Sequence, residues 1–255
     1  MAIFKNEYPI LEYDDDPKAI IMPGHEDLGY KLPDKCLFTF LGNALDKFAS
    51  ENNAKVIGTF ESITKHYPVY SINYKGSEIC MMQAPVGAAA SAQILDWLIH
   101  YGCRKIISTG SCGTLVNIPE NTFLVPKTAL RDEGASYHYL PASRYIEINP
   151  DALIAIERTL ISHNLNYEEV MTWTTDGFYR ETKNMVSYRI EEGCSVVEME
   201  CAGLAAVAES RNACFGQILF TADSLADIGK YDLRGFGKES EEYAIDLCLD
   251  ALVIF

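Results

Sequence analysis

The chain has 255 residues, 48% of them hydrophobic, with 36 acidic against 21 basic side chains and a formal net charge of −15. That length suffices for one well-packed core, and that charge excludes nucleic-acid binding through the bulk field while leaving room for a local pocket that holds a small anion. Eight scattered cysteines with no C-x-x-C pair read as reduced, buried thiols of a cytoplasmic protein and give no spacing for zinc; the N-terminus "MAIFKNEYPILEYDDDPK" lacks the apolar stretch of a secretory leader, and no apolar run reaches the length of a membrane span.

In chain order, apolar runs predict strands at 19–24 ("AIIMPG"), 55–62, 67–74, 78–85, 105–110, 121–126, 194–200 and 216–223. Helical spacing predicts helices over 87–102, 150–164, 201–212 and 239–255, the second entered by Pro-Asp. Strands alternating with helices of this length define an α/β chain. The "KGS" joining 67–74 to 78–85 is a hairpin signal, so the sheet is expected to be mixed. Repeats, low-complexity tracts and flexible linkers are absent from the sequence, which predicts a single domain over 1–255.

Five predicted strands end in small or polar residues: "PGHED", "APVGAAA", "TGSCGT", "EMECAG" and "TADS". Ligands of α/β folds bind beyond such carboxyl ends, where helix N-termini point. In "STGSCGT" (108–114), two glycines bracket Ser111, and exposed amides with its hydroxyl suit a phosphate or a sugar hydroxyl; a plain tight turn reads equally well. Asp223 in "TADS" is either a general acid leaving a buried strand or a helix cap. Phe178 and Tyr179 in "TTDGFYRET" either stack on a base or plug the core, and "RDEGASYHY" (131–139) has no metal-ligand spacing. Glu198 and Glu200 stand two apart. On a strand they share one face and can accept both hydroxyls of a vicinal diol; if the strand has already ended, both cap the next helix.

In their order and spacing, "MPG", "GSCG", "FY", "VEMECAG" and "TAD" together resemble the nucleoside phosphorylase-I family: purine nucleoside phosphorylases, uridine phosphorylases and the related nucleosidases. The resemblance implies a three-layer α/β/α fold around a central mixed β-sheet, trimers or hexamers, and cleavage of a nucleoside's N-glycosidic bond without a cofactor, inorganic phosphate being the co-substrate. It implies that Glu200 binds the ribose 2′- and 3′-hydroxyls, that Met199 lies against the sugar, and that Glu198 and Val197 line the sugar and base pocket. Phe178 would flank the base. Asp223 would protonate purine N7 as the base leaves. Ser111, Gly110 and Gly24 would hold phosphate, with Lys65 near the place where a neighbouring subunit supplies an arginine.

The sequence departs from that pattern at the phosphate end. The family's arginine after "PG" is Leu28 here, and the one before "GSCG" is Ser108. Lys65, Arg131 and Arg180 are the candidate replacements. Glu26 and Asp27 invite comparison with the hydrolytic relatives, which activate water with acidic residues in this loop. The "MPG" start favours phosphorolysis, hydrolysis is the alternative, and a nucleoside-binding protein without catalysis is a third reading. The Gln-x-Arg pair of the uridine enzymes is absent from "RETKNMVSYR", and Asp223 matches the purine-cleaving members.

Overall fold

The computed structural model describes residues 3–255. Its strands are β1 (Lys35–Phe40), β2 (Lys55–Glu61), β3 (His66–Tyr74), β4 (Ser77–Gln83), β5 (Lys105–Thr114), β6 (Phe123–Asp132), β7 (Tyr145–Glu147), β8 (Tyr167–Thr175), β9 (Cys194–Glu198) and β10 (Cys214–Ser224). The helices are α1 (Ala44–Glu51), α2 (Ala88–His100), α3 (Ser136–Tyr139), α4 (Pro150–Ser162), α5 (Lys183–Glu191), α6 (Cys201–Ser210) and α7 (Glu241–Ile254).

β5 is the hinge of one mixed sheet. It pairs in parallel with β1 on one side and β10 on the other. From β1 the sheet runs on through β4, β3 and β2. From β10 it passes to β6, β8 and β9, and β9 returns to the end of β5, pairing Val197 with Gly113. Five strands thus close into a ring with a flat extension. Alternation along β1 sends Phe38 to one core, with Leu95 and Leu98 of α2 and Leu204 of α6, and Leu37 to the other, with Ile156 of α4 and Leu247 of α7. Helices therefore cover both faces, a three-layer α/β/α arrangement.

Local chemistry explains the ends. β3 and β4 turn through Lys75 and Gly76, both at positive φ (51° and 83°), as a two-residue primed turn requires. Pro150 opens α4, and the Asn149 side chain accepts from the amides of Asp151 and Ala152.

Three expectations change. Residues 19–24 form bends and turns, not a strand; Ile20 and Ile21 are exposed and no strand pairs with them. Apolar content alone does not make a strand without a partner. "STGSCGT" is no turn, because β5 continues through Thr114. β9 stops at Glu198, so Glu200 is off the strand, at the N-cap of α6 with φ −135° and ψ −32°.

Candidate active site

A cavity of about 440 Å³ opens at the carboxyl ends of β5, β9 and β10, within the size range of small-molecule sites. Its position follows from the sheet. β5 loses β1 as a partner after Gly110 and gains β9 only at Gly113, so Ser111 and Cys112 have a ladder partner on the β10 side alone. The sheet splits there, and backbone groups on that edge are left to a ligand. Gly110, Ser111, Phe178, Val197, Glu198, Met199, Glu200 and Asp223 all line this space.

The two glutamates do different things. Glu198 Oε1 accepts from the Thr172 and Thr174 hydroxyls at 3.1 and 2.6 Å, and its Oε2 from the amides of Glu200 and Cys201 at 2.7 and 2.6 Å. Four donors fill the carboxylate's acceptor sites. Glu198 therefore caps α6 and fixes the Glu200 backbone; its acceptors are not open to a sugar, although it lines the cavity. Burial pushes its pKa up against the pull of those donors. Glu200 accepts from the Gly87 amide at the start of α2 (2.6 Å) through Oε1, and the Met199 backbone also holds its carboxyl. Burial first, and the Glu198 charge second, push its carboxyl up to about 8. Two backbone bonds leave acceptor capacity on this buried acid for hydroxyl donors.

Asp223 is almost fully buried near the end of β10, where the register with β5 shifts between Thr221 and Ser224. No helix follows β10 directly, so the helix-cap reading of this aspartate falls away. Gly113 makes room for it: a Cβ there would lie 3.3 Å from Asp223 Oδ1 and 3.2 Å from both Val197 and Leu225. Glu181, quoted in "FYRET" but not singled out by sequence, lines the same end. Burial, and after it the charge of Asp223, pushes Glu181 up to about 7. Two carboxyls thus share one end, and one of them keeps a proton to near neutrality. Phe178, 46% exposed, stands at the rim with its ring edge-on to Tyr179.

The opposite end is polar and uncharged. Gln217 lines the cavity from β10, and Ser108 is its register partner on β5. Both are buried, and neither Gln217 Oε1 nor Ser108 Oγ has a hydrogen-bond partner. Among the described residues, no Lys, Arg or His lines the cavity, which carries four carboxyl side chains.

Two residues expected at the phosphate are elsewhere. Gly24 packs on His100, where a Cβ would come within 1.9 Å of Nε2. His100 ends α2, whereas Gly87, bonded to Glu200, begins it; a helix of this length separates them by about 20 Å. Glu26 lies in a groove with Asp96 and Trp97 toward that same far end, and Asp27 belongs to the Gly24 turn. Lys65 is exposed between β2 and β3, its ammonium 5.1 Å from the Tyr67 ring centre. Arg131 is consumed internally by the Ser136 and Ser143 hydroxyls and the Pro141 carbonyl, and Arg180 is exposed outside the lining. The fold does bring Cys36, Cys80 and Cys103 within 4.8 Å of one another in the core, a grouping that no sequence spacing announces.

Residues 35–252 match the model of the phosphorylase superfamily, and the chain belongs to that family. A DeoD-type purine nucleoside phosphorylase of Buchnera aphidicola subsp. Schizaphis graminum is 28% identical over 54% of this chain and 60% of its own length. A DeoD-type 1 enzyme of Shewanella oneidensis is 30% identical over 53% and 58%. The matches thus span well under two thirds of these relatives. An AMP nucleosidase from Bacteroides thetaiotaomicron superposes with a TM-score of 0.69 at 25% identity, covering 88% of this chain and 89% of that one. A uridine phosphorylase from Vibrio fischeri gives 0.76 at 20%, covering 92% and 95%, a likeness of fold.

Proposed function

We propose that this enzyme cleaves the N-glycosidic bond of a purine nucleoside. The observation that carries the reading is the pairing of two unlike acidic ends in one cavity. Glu200, with acceptor sites left beyond its backbone bonds, offers an acceptor for the ribose diol. Asp223 and Glu181, the latter raised to about 7, stand at the other end, where the leaving base needs a proton. Met199 lies along the sugar, and Phe178 with Val197 flanks the base.

Cleavage builds positive character on the ribose and negative charge on the base. Carboxyl oxygens facing the ribose favour the first, and a proton at N7 relieves the second. Asp223→Asn is expected to lower turnover far more than nucleoside affinity, because the acid acts in the transition state. Unchanged turnover would remove Asp223 from the chemistry.

Phosphorolysis is a second reading. The curated relatives named above are phosphorylases. The cavity mouth is rimmed by exposed Val86 and Phe178, with exposed Tyr179 beside them, an apolar surface that a second copy would cover. In such a homo-oligomer Lys65 of the neighbouring copy would be the cation for phosphate, with Ser111 and Gly110 as its other contacts.

A further inference from the structure

We infer that the nucleophile is water, held at the uncharged end of the cavity by Gln217 with Ser108 beside it. The inference rests on the nucleoside-cleaving reading and adds what attacks the sugar.

The starting observation is an anomaly. Gln217 is 1% exposed, and its Oε1 has no partner; Ser108 is 0% exposed, and its Oγ has none. A buried polar atom left unpaired is costly, so native proteins pair such groups or give them a ligand. Ser108 and Gln217 are opposite each other on neighbouring parallel strands, so their side chains leave the sheet on the same face. Gln217 opens directly into the cavity. Two adjacent unpaired groups, an amide and a hydroxyl, make a site for a small neutral molecule with several hydrogen bonds, which is what a held water needs.

Position and charge agree. Asp223 lies six residues beyond Gln217 on β10, so the proton donor and the amide occupy opposite ends of the space, and the sugar acceptor Glu200 lines it too. A nucleophile must reach C1′ from the side opposite the base, which is the Gln217 side when the base is at Asp223. A phosphate dianion at that end would meet no cation from this chain, in a cavity whose acidic side chains are all carboxyls. Water carries no such penalty. Of the sequence features that favoured phosphate, "MPG" is at the far end of α2, and Ser111 and Gly110, which line the cavity, offer only uncharged groups.

In the step itself, the water oxygen bonds to C1′ as the C1′–N bond breaks. The bonding pair leaves with the base, and the Asp223–Glu181 pair delivers a proton to it. The attacking water gives its proton to bulk solvent, which reprotonates the acid pair, so nucleoside and water become ribose and free base.

The test compares wild type, Gln217→Leu and Ser108→Ala on a purine nucleoside, with and without inorganic phosphate. It identifies ribose or ribose 1-phosphate, and with added methanol it measures the ratio of methyl riboside to ribose. Wild type is expected to release base equally with and without phosphate and to form ribose. Gln217→Leu should lose about 100-fold in kcat, as misplacing a reacting group does. KM and Tm should hold, and the methanol-to-water ratio should rise, since the site no longer selects water. Ser108→Ala should show a smaller change of the same kind and serves as the second variant should the leucine not fold. Base release that requires phosphate and yields ribose 1-phosphate overturns the inference while leaving the cleavage reading intact. Wild-type kcat and methanol ratio in both variants also overturn it. No base release by wild type from any nucleoside overturns the cleavage reading, and the inference with it.

Discussion

The carboxylate of Glu198 accepts the backbone amide of Glu200 at 2.7 Å. Two acids that look like a matched pair in sequence are thus a support and the group it supports. Glu198 is closed by four donors, two from β8 and two from the start of α6. Glu200 is left with acceptor capacity to offer.

Replacing Glu198 by Gln presents an amide NH₂ to groups that are themselves donors. Buried hydrogen bonds to a charged group contribute about 1.5–3 kcal/mol, so Glu198→Gln should lower Tm by about 5 °C or more in a chain of this size. Nucleoside KM should rise with it, because the Glu200 backbone loses its anchor. Calorimetry and steady-state kinetics check both; an unchanged Tm would show that the four bonds carry no net stability.

Glu200→Gln should weaken selection for the ribose diol. Wild type is expected to discriminate against 2′-deoxy and 3′-deoxy nucleosides more strongly than the variant, measured as the ratio of kcat/KM values. Equal ratios would take Glu200 out of the sugar site.

Glu200 also makes stability depend on pH. Its pKa rises from the ordinary carboxylate range when unfolded to about 8 when folded. Stability is therefore full below the unfolded value and declines as pH climbs toward the folded one, by up to about 1.4 kcal/mol per pH unit for one group. Thermal melts of the ligand-free protein should show Tm falling from about pH 5 to about pH 8. In Glu200→Gln that fall should be shallower; the same slope in both proteins would contradict the assignment.

Gly113→Ala tests how Asp223 is held. The added methyl would sit 3.3 Å from Asp223 Oδ1 and 3.2 Å from Val197 and Leu225. Displacing the carboxylate should reduce kcat by about tenfold or more, with the fold intact by circular dichroism. Wild-type kcat would mean that Asp223 has slack or no role.

On the base side, Glu181 keeps its proton up to about pH 7. Since the protonated form supplies the leaving base, kcat should decline as pH rises through that value. Glu181→Gln should remove this descending limb; a limb that persists unchanged assigns it to another group.

Much of the fold was legible because it rests on local pattern. The hairpin at Lys75–Gly76, the Asn149–Pro150 helix start and the buried core of β10 each carry their own signal. β1 and β8 were missed. "KCLFTF" is a short, continuously buried apolar run that periodicity does not separate from a helix segment, and "YEEVMTWTT" opens with two acids on an exposed stretch. At the site, short motifs pointed to Glu200, Asp223 and Ser111, which the fold brings to one cavity, but three things depend on tertiary contact. The closure of Glu198 comes from Thr172 and Thr174 on β8. The proximity of Glu181 to Asp223 needs the chain to fold back after β8. The unpaired state of Gln217 and Ser108 appears only when β5 and β10 are side by side. Gly24 failed for the converse reason: a familiar tripeptide, without a strand to carry it, packs at the wrong end of α2.

The most direct measurement is chromatography of the purified protein incubated with inosine, adenosine, guanosine and uridine. Free purine is expected from at least one of the first three, abolished or strongly reduced in Asp223→Asn, with little uracil. No free base from any of the four, or equal release by wild type and Asp223→Asn, would contradict the cleavage reading.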